Sequence, residues 1–431
     1  METVVACSTP FGSSALAVVR VSGPQTKNFI FSLQNKTKKI HHNEPFLSSF
    51  VDKDGEIFDE GIINVFLGPN SYTGEDLAEI SCHGNPIIVD RIVSLACLFG
   101  CRVAEPGEFT KRAYLNNKLD ISQAESVAAL ISSKSLKGTK LTYKNLGGEL
   151  SATVSDIKKE IISVIGEMEF NLDISEEDLQ PNLLKNSSKR ISKIKNKMKK
   201  ALDGSKKTNL LTFGASVVIA GPTNAGKSTL FNLLLEKERA ITSKIPGTTR
   251  DIIHDTINLG GIPVVLKDTA GIRKTKNIIE MEGIDRTEKE LEGADLVVFL
   301  GKKEKTHINN KNFIYVFNKT DIKSTKSKDY DVKVSALKNK NIKTLQKLII
   351  KRLLQKNITS SVVLTSKRQV ENVILSKNYL ENALKSLSSG TSLELVVEDL
   401  NSSLFYLDSI TKKTTKDDVL KSVFSSFCVG K

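Results

Sequence analysis

The sequence predicts a multidomain α/β protein whose central domain is a parallel sheet covered by helices, and three patterns predict it. Between residues 214 and 355, short apolar runs alternate with helical stretches: SVVIA, PVVLKD, DLVVFL, FIYVFN and VKVSA each run into a turn. Such alternation implies βαβ units, whose strands lie parallel beneath helices on both faces. From 119 to 213 the pattern is different: ISQAESVAALISSKS and SATVSDIKKEIISVIGEMEFNL place apolar residues every three or four positions, the period of a helix. That period returns from 356 to 431, in RQVENVILSKNYLENALKSL and SLELVVEDLNSSLFYL. The simplest architecture is a helical domain interrupted by the α/β domain, its two halves packing together. Residues 1–118 instead hold strand-length segments bounded by Gly, Pro and Asn, the pattern of an α+β domain.

Composition narrows the class. The chain has 431 residues, 39% hydrophobic and 26% charged, which fits a soluble globular protein of two to four domains. No apolar run approaches the roughly 20 residues needed to cross a bilayer. The start, METVVACSTP, lacks the pattern of a secretory or transit signal, so a cytoplasmic protein without a membrane partner is expected. Five scattered cysteines (Cys7, Cys82, Cys97, Cys101, Cys428) fit reduced thiols. Cys97 and Cys101 could share a helix face, but a thiolate zinc site needs a second pair that the chain lacks. The net charge of +14 permits attraction to a polyanion such as RNA. The basic tract 185–200 reads as an amphipathic helix with Lys on its wet side, since Ile191, Ile194 and Met198 recur at helical spacing and no aromatics are interleaved.

The chemistry gathers in the α/β region. Gly221 to Ser228 read GPTNAGKS, a match to G-x-x-x-x-G-K-[ST] placed between a buried strand and a helix. Glycines let the backbone wrap phosphate, so Asn224, Ala225, Gly226, Lys227, Ser228 and Thr229 are expected around it. The Lys227 ammonium suits the β- and γ-phosphates, and the Ser228 hydroxyl suits Mg²⁺. Asp268, Thr269, Ala270 and Gly271 end the strand PVVLK, where a carboxylate meets Mg²⁺ directly or through water. Asn318, Lys319 and Asp321 follow FIYVF, and a carboxylate at Asp321 can accept both N–H groups of the guanine edge, which adenine cannot reproduce. Ser335, Ala336 and Leu337 follow VKV and offer backbone N–H to the guanine carbonyl. Four motifs in order, each at a strand end, predict a GTP site. The segment 239–251 reads as a switch, with Thr249 as a second Mg²⁺ ligand. Ile272 follows DTAG where a water-orienting Gln is common, and no arginine is placed as a finger, so another cation is needed.

Together with PNSYTGED (69–76), EPGEFTKRAYLNNKLDISQAE (105–125) and SSFCVGK (425–431), these motifs resemble the MnmE (TrmE) family of tRNA-modifying GTPases from end to end. The resemblance implies a folate-binding and dimerising domain at 1–118, helical halves at 119–213 and 356–431, and a Ras-like P-loop G domain at 214–355. It implies K⁺ held by Asn224 with Ser243, Ile245 and Thr248, replacing the arginine finger. Glu280 matches the acid that orients water, Arg250 the switch arginine, and Ser243, Thr248 and Thr249 line the nucleotide. Arg20, Glu79, Lys118 and Lys431 match the contacts to a formyl- or methylene-tetrahydrofolate, and Cys428 sits in the terminal C-x-G-K. The implied activity is K⁺-activated GTP hydrolysis coupled to adding an aminomethyl or carboxymethylaminomethyl group to the wobble uridine of tRNA. A homodimer working in a heterotetramer with the flavoprotein MnmG (GidA) is implied as well.

The chain departs from that pattern in places. Pro222 is second in the P-loop and Thr223 third, where the family has Pro third, which removes a different N–H. The links between Leu300 and Phe313 and between Ile322 and Asp331 are short, so the G domain looks trimmed. The rival reading is an RNA-binding switch GTPase of ribosome assembly that modifies nothing. It needs an RNA-reading module such as a KH domain, and no GXXG clamp with that surrounding pattern is found.

Overall fold

The computed structural model describes residues 2–36, 38–172, 181–238, 255–268, 291, 293–303, 312–354, 363–412, 417–425 and 427–431. They divide into two compact units, Met1–Ala128 with Leu407–Lys431, and Ala129–Tyr406.

In the first unit, β1 (Val4–Cys7), β2 (Ser14–Ser22), β3 (Phe46–Val51), β4 (Ile57–Phe66), β5 (Leu77–Gly84) and β6 (Arg102–Val103) form one sheet. Its order is β3-β4-β5-β2-β1-β6, antiparallel except for the β1–β6 pair. Helices α1 (Thr26–Leu33) and α2 (Pro86–Leu98) cover it, and Val19, Val21, Phe29, Ile63, Ile80 and Ile92 meet in the core. Period two explains the site that follows: Val19 and Val21 face inward, so Arg20 between them faces the other way. Asn85 caps α2 by accepting from the Ile87 N–H, with Pro86 at the first helical position. That helix ends at Leu98 and Gly100 turns at φ 91°, so Cys101 lies beyond it and the two thiols share no helix face. Helix α3 (Glu108–Leu115) starts from Gly107 at φ 70°, and near it Tyr114, Ile121 and Ala124 bury against Leu420, Val423, Phe424 and Phe427. The last residues, read in sequence with the second helical stretch, thus pack in the first unit.

The helical expectation holds through α4 (Ile121–Ser132), α5 (Leu136–Leu146), α6 (Glu149–Leu172) and α7 (Pro181–Phe213). In the second unit Ile191, Ile194 and Met198 are at most 1% exposed, as their spacing required. Its second sheet joins β7 (Ala215–Ala220), β8 (Asp255–Leu259), β9 (Ile262–Asp268), β10 (Leu296–Phe299), β11 (Phe313–Phe317) and β12 (Val332–Lys333) in the order β12-β11-β10-β7-β9-β8. All pairs are parallel except β8–β9. That antiparallel edge was not expected; the turn at Gly260 and Gly261, both at positive φ, returns the chain at once instead of through a crossover. Strands β10 and β11 are parallel despite their short link, of which residues 304–311 are outside the described set. Helices α8 (Lys227–Glu238) and α9 (Ile342–Leu353) belong to this α/β part. The second helical half supplies α10 (Lys367–Ser389) and α11 (Leu393–Thr411), with α12 (Asp417–Phe424) in the first unit. Helix α10 opens with a capping box between Ser366 and Gln369, and its Ser376 hydroxyl meets Met198 Sδ of α7 at 3.9 Å. The two helical halves do pack together. Among the described residues, no helix is long and apolar enough to cross a membrane.

Candidate functional site

The first candidate site stands where β7, β11 and β12 end at their carboxyl edge, the usual position for ligands in an open parallel sheet. Strand β7 is almost wholly buried and runs into Gly221 at φ 146°. A Cβ there would lie 2.9 Å from the Leu300 carbonyl, so only glycine lets the loop pass. Asn224 follows at φ 60° and Gly226 at φ 91°, turning the backbone into the start of α8. The first turn of α8 contains no acidic residue of its own to compete for its N–H groups. Ser228 and Thr229 lie exposed in that turn. Lys227 folds back, its Nζ donating to the carbonyls of Gly221 at 3.0 Å and Pro222 at 2.9 Å. A phosphate arriving at the loop would meet that ammonium across its own backbone.

Asn318 ties three loops together. Its Nδ2 donates to the Ala225 carbonyl at 3.0 Å, and its Oδ1 accepts from the Ala336 N–H at 3.0 Å. A Cβ at residue 226 would sit 2.4 Å from that Nδ2, a second reason for glycine in the loop. Lys319 takes φ 64°, while Asp321 is exposed. The Ser335 hydroxyl donates to Asp321 Oδ1 at 2.5 Å and accepts from the Lys338 N–H at 3.1 Å. That hydroxyl first, then a backbone N–H, and more weakly the nearby lysines 338 and 319, hold the Asp321 carboxyl below its ordinary value, so it stays an acceptor. Leu337 is 72% exposed beside it. Asp268 ends β9 opposite Ile219 of β7, so the backbone brings it next to the loop. Residues Thr269, Ala270 and Gly271, together with Ser243, Ile245, Thr248, Thr249, Arg250 and Glu280, lie outside the described residues.

The donor set fits a guanine nucleotide: backbone N–H and an ammonium at one end, a carboxylate and the Ala336 amide region at the other. It also fits a hard cation, since Ser228 and Asn224 offer oxygen and no thiol is near in sequence.

The second candidate site lies in the first unit. Arg20 and Glu79 are register partners on β2 and β5, and Arg20 donates to Glu79 Oε1 through Nη2 at 2.5 Å and Nε at 3.1 Å. Arg20 Nη1 also donates to the Gly430 carbonyl at 3.3 Å, which accepts from the Ser8 hydroxyl at 3.0 Å as well. The guanidinium lies over the rings of Phe109 at 5.6 Å and Tyr72 at 5.8 Å. Gly430, at φ 91°, approaches Cys7 so closely that a Cβ would be 2.4 Å from its carbonyl. The Phe109 N–H, at the start of α3, donates to the Lys431 carbonyl oxygen at 3.2 Å. Burial first, then the like charge of Arg20, lowers the half-buried Lys431 ammonium from its ordinary value. The structure therefore gathers Arg20, Glu79 and Lys431. Lys118 has a different partner: its Nζ donates to the Pro69 carbonyl at 3.0 Å, in the PNSYTGED loop. Cys428 is exposed, while burial pushes Cys82 and Cys101 up to about 11, leaving them inert thiols.

Beneath this site runs a network that sequence reading missed. Arg112 donates to Glu75 at 2.8 Å and to Glu108 at 2.9 Å, and Glu108 also accepts from Arg102 at 2.7 Å. The Ser22 hydroxyl meets Glu75 at 3.0 Å and Thr73 at 2.8 Å. It binds PNSYTGED to EPGEFTKRAYL. The visible signal was the acidic end of the first segment, Glu75, and the mixed charges of the second, Glu108 and Arg112.

Comparison with known proteins shows the family. A family model described as the MnmE helical domain matches residues 121–428, and one described as the GTP-binding protein TrmE N-terminus matches residues 3–118. The tRNA modification GTPase MnmE of Thermotoga sp. (strain RQ2) is 38% identical over 456 residues, covering 100% of each chain. That of Aquifex aeolicus (strain VF5) is 37% identical over 448 residues, again covering 100% of each. Among solved structures, the G domain of the T. maritima FeoB iron transporter is 20% identical, covering 32% of this chain and 98% of that one. Its TM-score of 0.22 is too low to support an argument.

Proposed function

The chain belongs to the MnmE family of tRNA modification GTPases, and from that premise we propose that it is K⁺-activated and modifies the wobble uridine with a one-carbon unit from tetrahydrofolate. It is a GTPase acting in tRNA modification; the cation, the carbon source and the partner are our reading. The observation that carries its nucleotide part is the bonding of Asn318 to both Ala225 and Ala336, which links the phosphate loop to the base pocket. Lys227 would exchange its two loop carbonyls for phosphate oxygens, and Asp321, steadied by Ser335, would accept the guanine edge. Ser228 and Thr249 would hold Mg²⁺. Asn224 with Ser243, Ile245 and Thr248 would hold K⁺, which supplies positive charge to the transferring phosphoryl group when bound. Glu280 would orient the attacking water, and Arg250 belongs to the switch around it.

In the first unit, Arg20 and Lys431 suit the carboxylates of a folate tail, and Glu79 suits the N–H edge of a pterin. Lys118 completes the set from the Pro69 loop. The chain would act as a homodimer, in a heterotetramer with the flavoprotein MnmG (GidA), in the cytoplasm. Nucleoside analysis of tRNA tests the whole reading. A strain deleted for this chain should lack the aminomethyl-type wobble uridines and regain them on complementation; unchanged nucleosides would overturn it. The cation assignment has its own test: Asn224→Ala should erase the difference in turnover between K⁺ and Na⁺, and a surviving difference removes Asn224 from that role.

A further inference from the structure

Helix α7 is strongly basic: its 33 residues include ten Lys or Arg against the single Asp203. Its apolar side is fixed, with Ile191, Ile194 and Met198 buried. The opposite side is an open, shallow groove along this one helix, bordered by Lys189, Lys193, Lys197 and Lys200 with Ser192 and Asn196 between them, all of α7. Lys197 is paired with Glu160 of α6 at 2.6 Å, and Arg190, off the groove, with Glu167. Lys189, Lys193 and Lys200 are exposed and enter no ion pair among the described residues.

An amphipathic helix needs a wet face, but a wet face does not need one sign of charge. On α6 the exposed side mixes Asp156, Lys159 and Glu169, whereas the groove of α7 contains no carboxylate. Like charges four residues apart repel and cost about 0.2–0.5 kcal/mol per pair. Three ammonium groups that have no carboxylate partner among the described residues are thus held close along one helix. Lys189, Lys193 and Lys197 recur every fourth residue, about 6 Å along the axis, a spacing comparable to that of successive phosphates in a nucleic acid strand. The hydroxyl and amide of Ser192 and Asn196 add neutral groups able to meet a phosphate oxygen or a 2′-hydroxyl. No aromatic lines the groove, so base stacking has no place there and recognition would be of the backbone.

We propose that this face of α7 is a docking surface for the phosphodiester backbone of tRNA. The proposal rests on the tRNA-modification reading and adds to it the place where the polynucleotide lies. The test measures binding of a transcribed tRNA to the full-length protein by fluorescence anisotropy across a salt series. Lys189→Gln, Lys193→Gln and Lys200→Gln together should weaken binding at least tenfold at low salt. They should also flatten the slope of log affinity against log salt by about 2, from roughly 0.7 per lost phosphate contact. The corresponding Glu variant should lose more, while GTP hydrolysis in both stays as in the parent, which shows that they fold. Unchanged affinity and slope would overturn the proposal. So would a Gln variant that keeps tRNA affinity but loses binding to phosphatidylglycerol vesicles. Complementation separates the two claims: if the parent chain restores the modified uridine and the variant binds tRNA normally, only the surface fails. If the parent chain restores nothing, the functional reading fails, and the surface is then decided by the salt slope alone.

Discussion

At the ends of β7, β11 and β12 the charged groups hold neutral partners: Lys227 its own loop carbonyls, Asp321 the Ser335 hydroxyl. Around Arg20 the charges hold one another, Arg20 against Glu79 with Lys431 lowered beside them. The difference predicts how each responds to a ligand. A phosphate or a guanine edge can displace a carbonyl or be added beside a hydroxyl, gaining a charge-assisted bond for a neutral one. An anion approaching Arg20 must share it with a carboxylate already in place, so binding there is an exchange with a smaller net gain. On that ground the proposed nucleotide site would bind strongly, and the other selectively and more weakly.

Four substitutions would break or sharpen that contrast. The largest effect belongs to Lys227→Ala, which removes the ammonium aimed at developing charge. Single-turnover GTP hydrolysis should fall about 10²–10³-fold. Next is Asp321→Asn, which should weaken GTP roughly 100-fold by calorimetry and let xanthosine triphosphate compete; undiminished guanine preference would remove Asp321 from base recognition. Third, Arg20→Ala leaves the half-buried Glu79 without its partner. It should cost about 1–3 kcal/mol of stability in urea unfolding and abolish folate binding, with GTP affinity within about twofold of the parent.

The smallest is Ser335→Ala, expected to weaken GTP about fivefold. Its signature is the pH profile. A carboxyl held below its ordinary value stays ionised as pH falls through that value, so parent affinity persists into the acid range. Without the hydroxyl the Asp321 pKa rises back, and affinity should be lost at a higher pH than in the parent. Identical profiles would mean that Ser335 does not hold the carboxylate.

The same contrast explains what could be read in the sequence. Each part of the nucleotide site is a short motif at the end of an apolar strand, so the order SVVIA, PVVLK, FIYVF, VKV was enough to place Gly221, Asp268, Asn318 and Ser335. The helical segments were legible for the same reason, because Ile191, Ile194 and Met198 sit in a local period. The cluster around Arg20 has no local signature. It is made by strand register across 59 residues to Glu79 and by a contact 410 residues away at Gly430, and only a family resemblance pointed to it. The turn at Gly260 and Gly261 was overlooked because alternating strands and helices suggested crossovers throughout. The lysines of α7 were read as solvated charge, since a one-dimensional pattern does not show which of them have partners.

The bond from Arg20 to Gly430 also sets a timetable. A ribosome moving at about 5–20 residues per second needs roughly 20–80 s to make the intervening chain. Through that interval β2 and β5 can pair, and the nucleotide loop can be completed, while Phe109 still lacks its acceptor at Lys431. A product that ends after the α/β part but before residue 430 therefore contains Gly221 to Ser228 and lacks the contact of Arg20 with Gly430. The late arrival of a few residues decides whether the cluster at Arg20 can form at all.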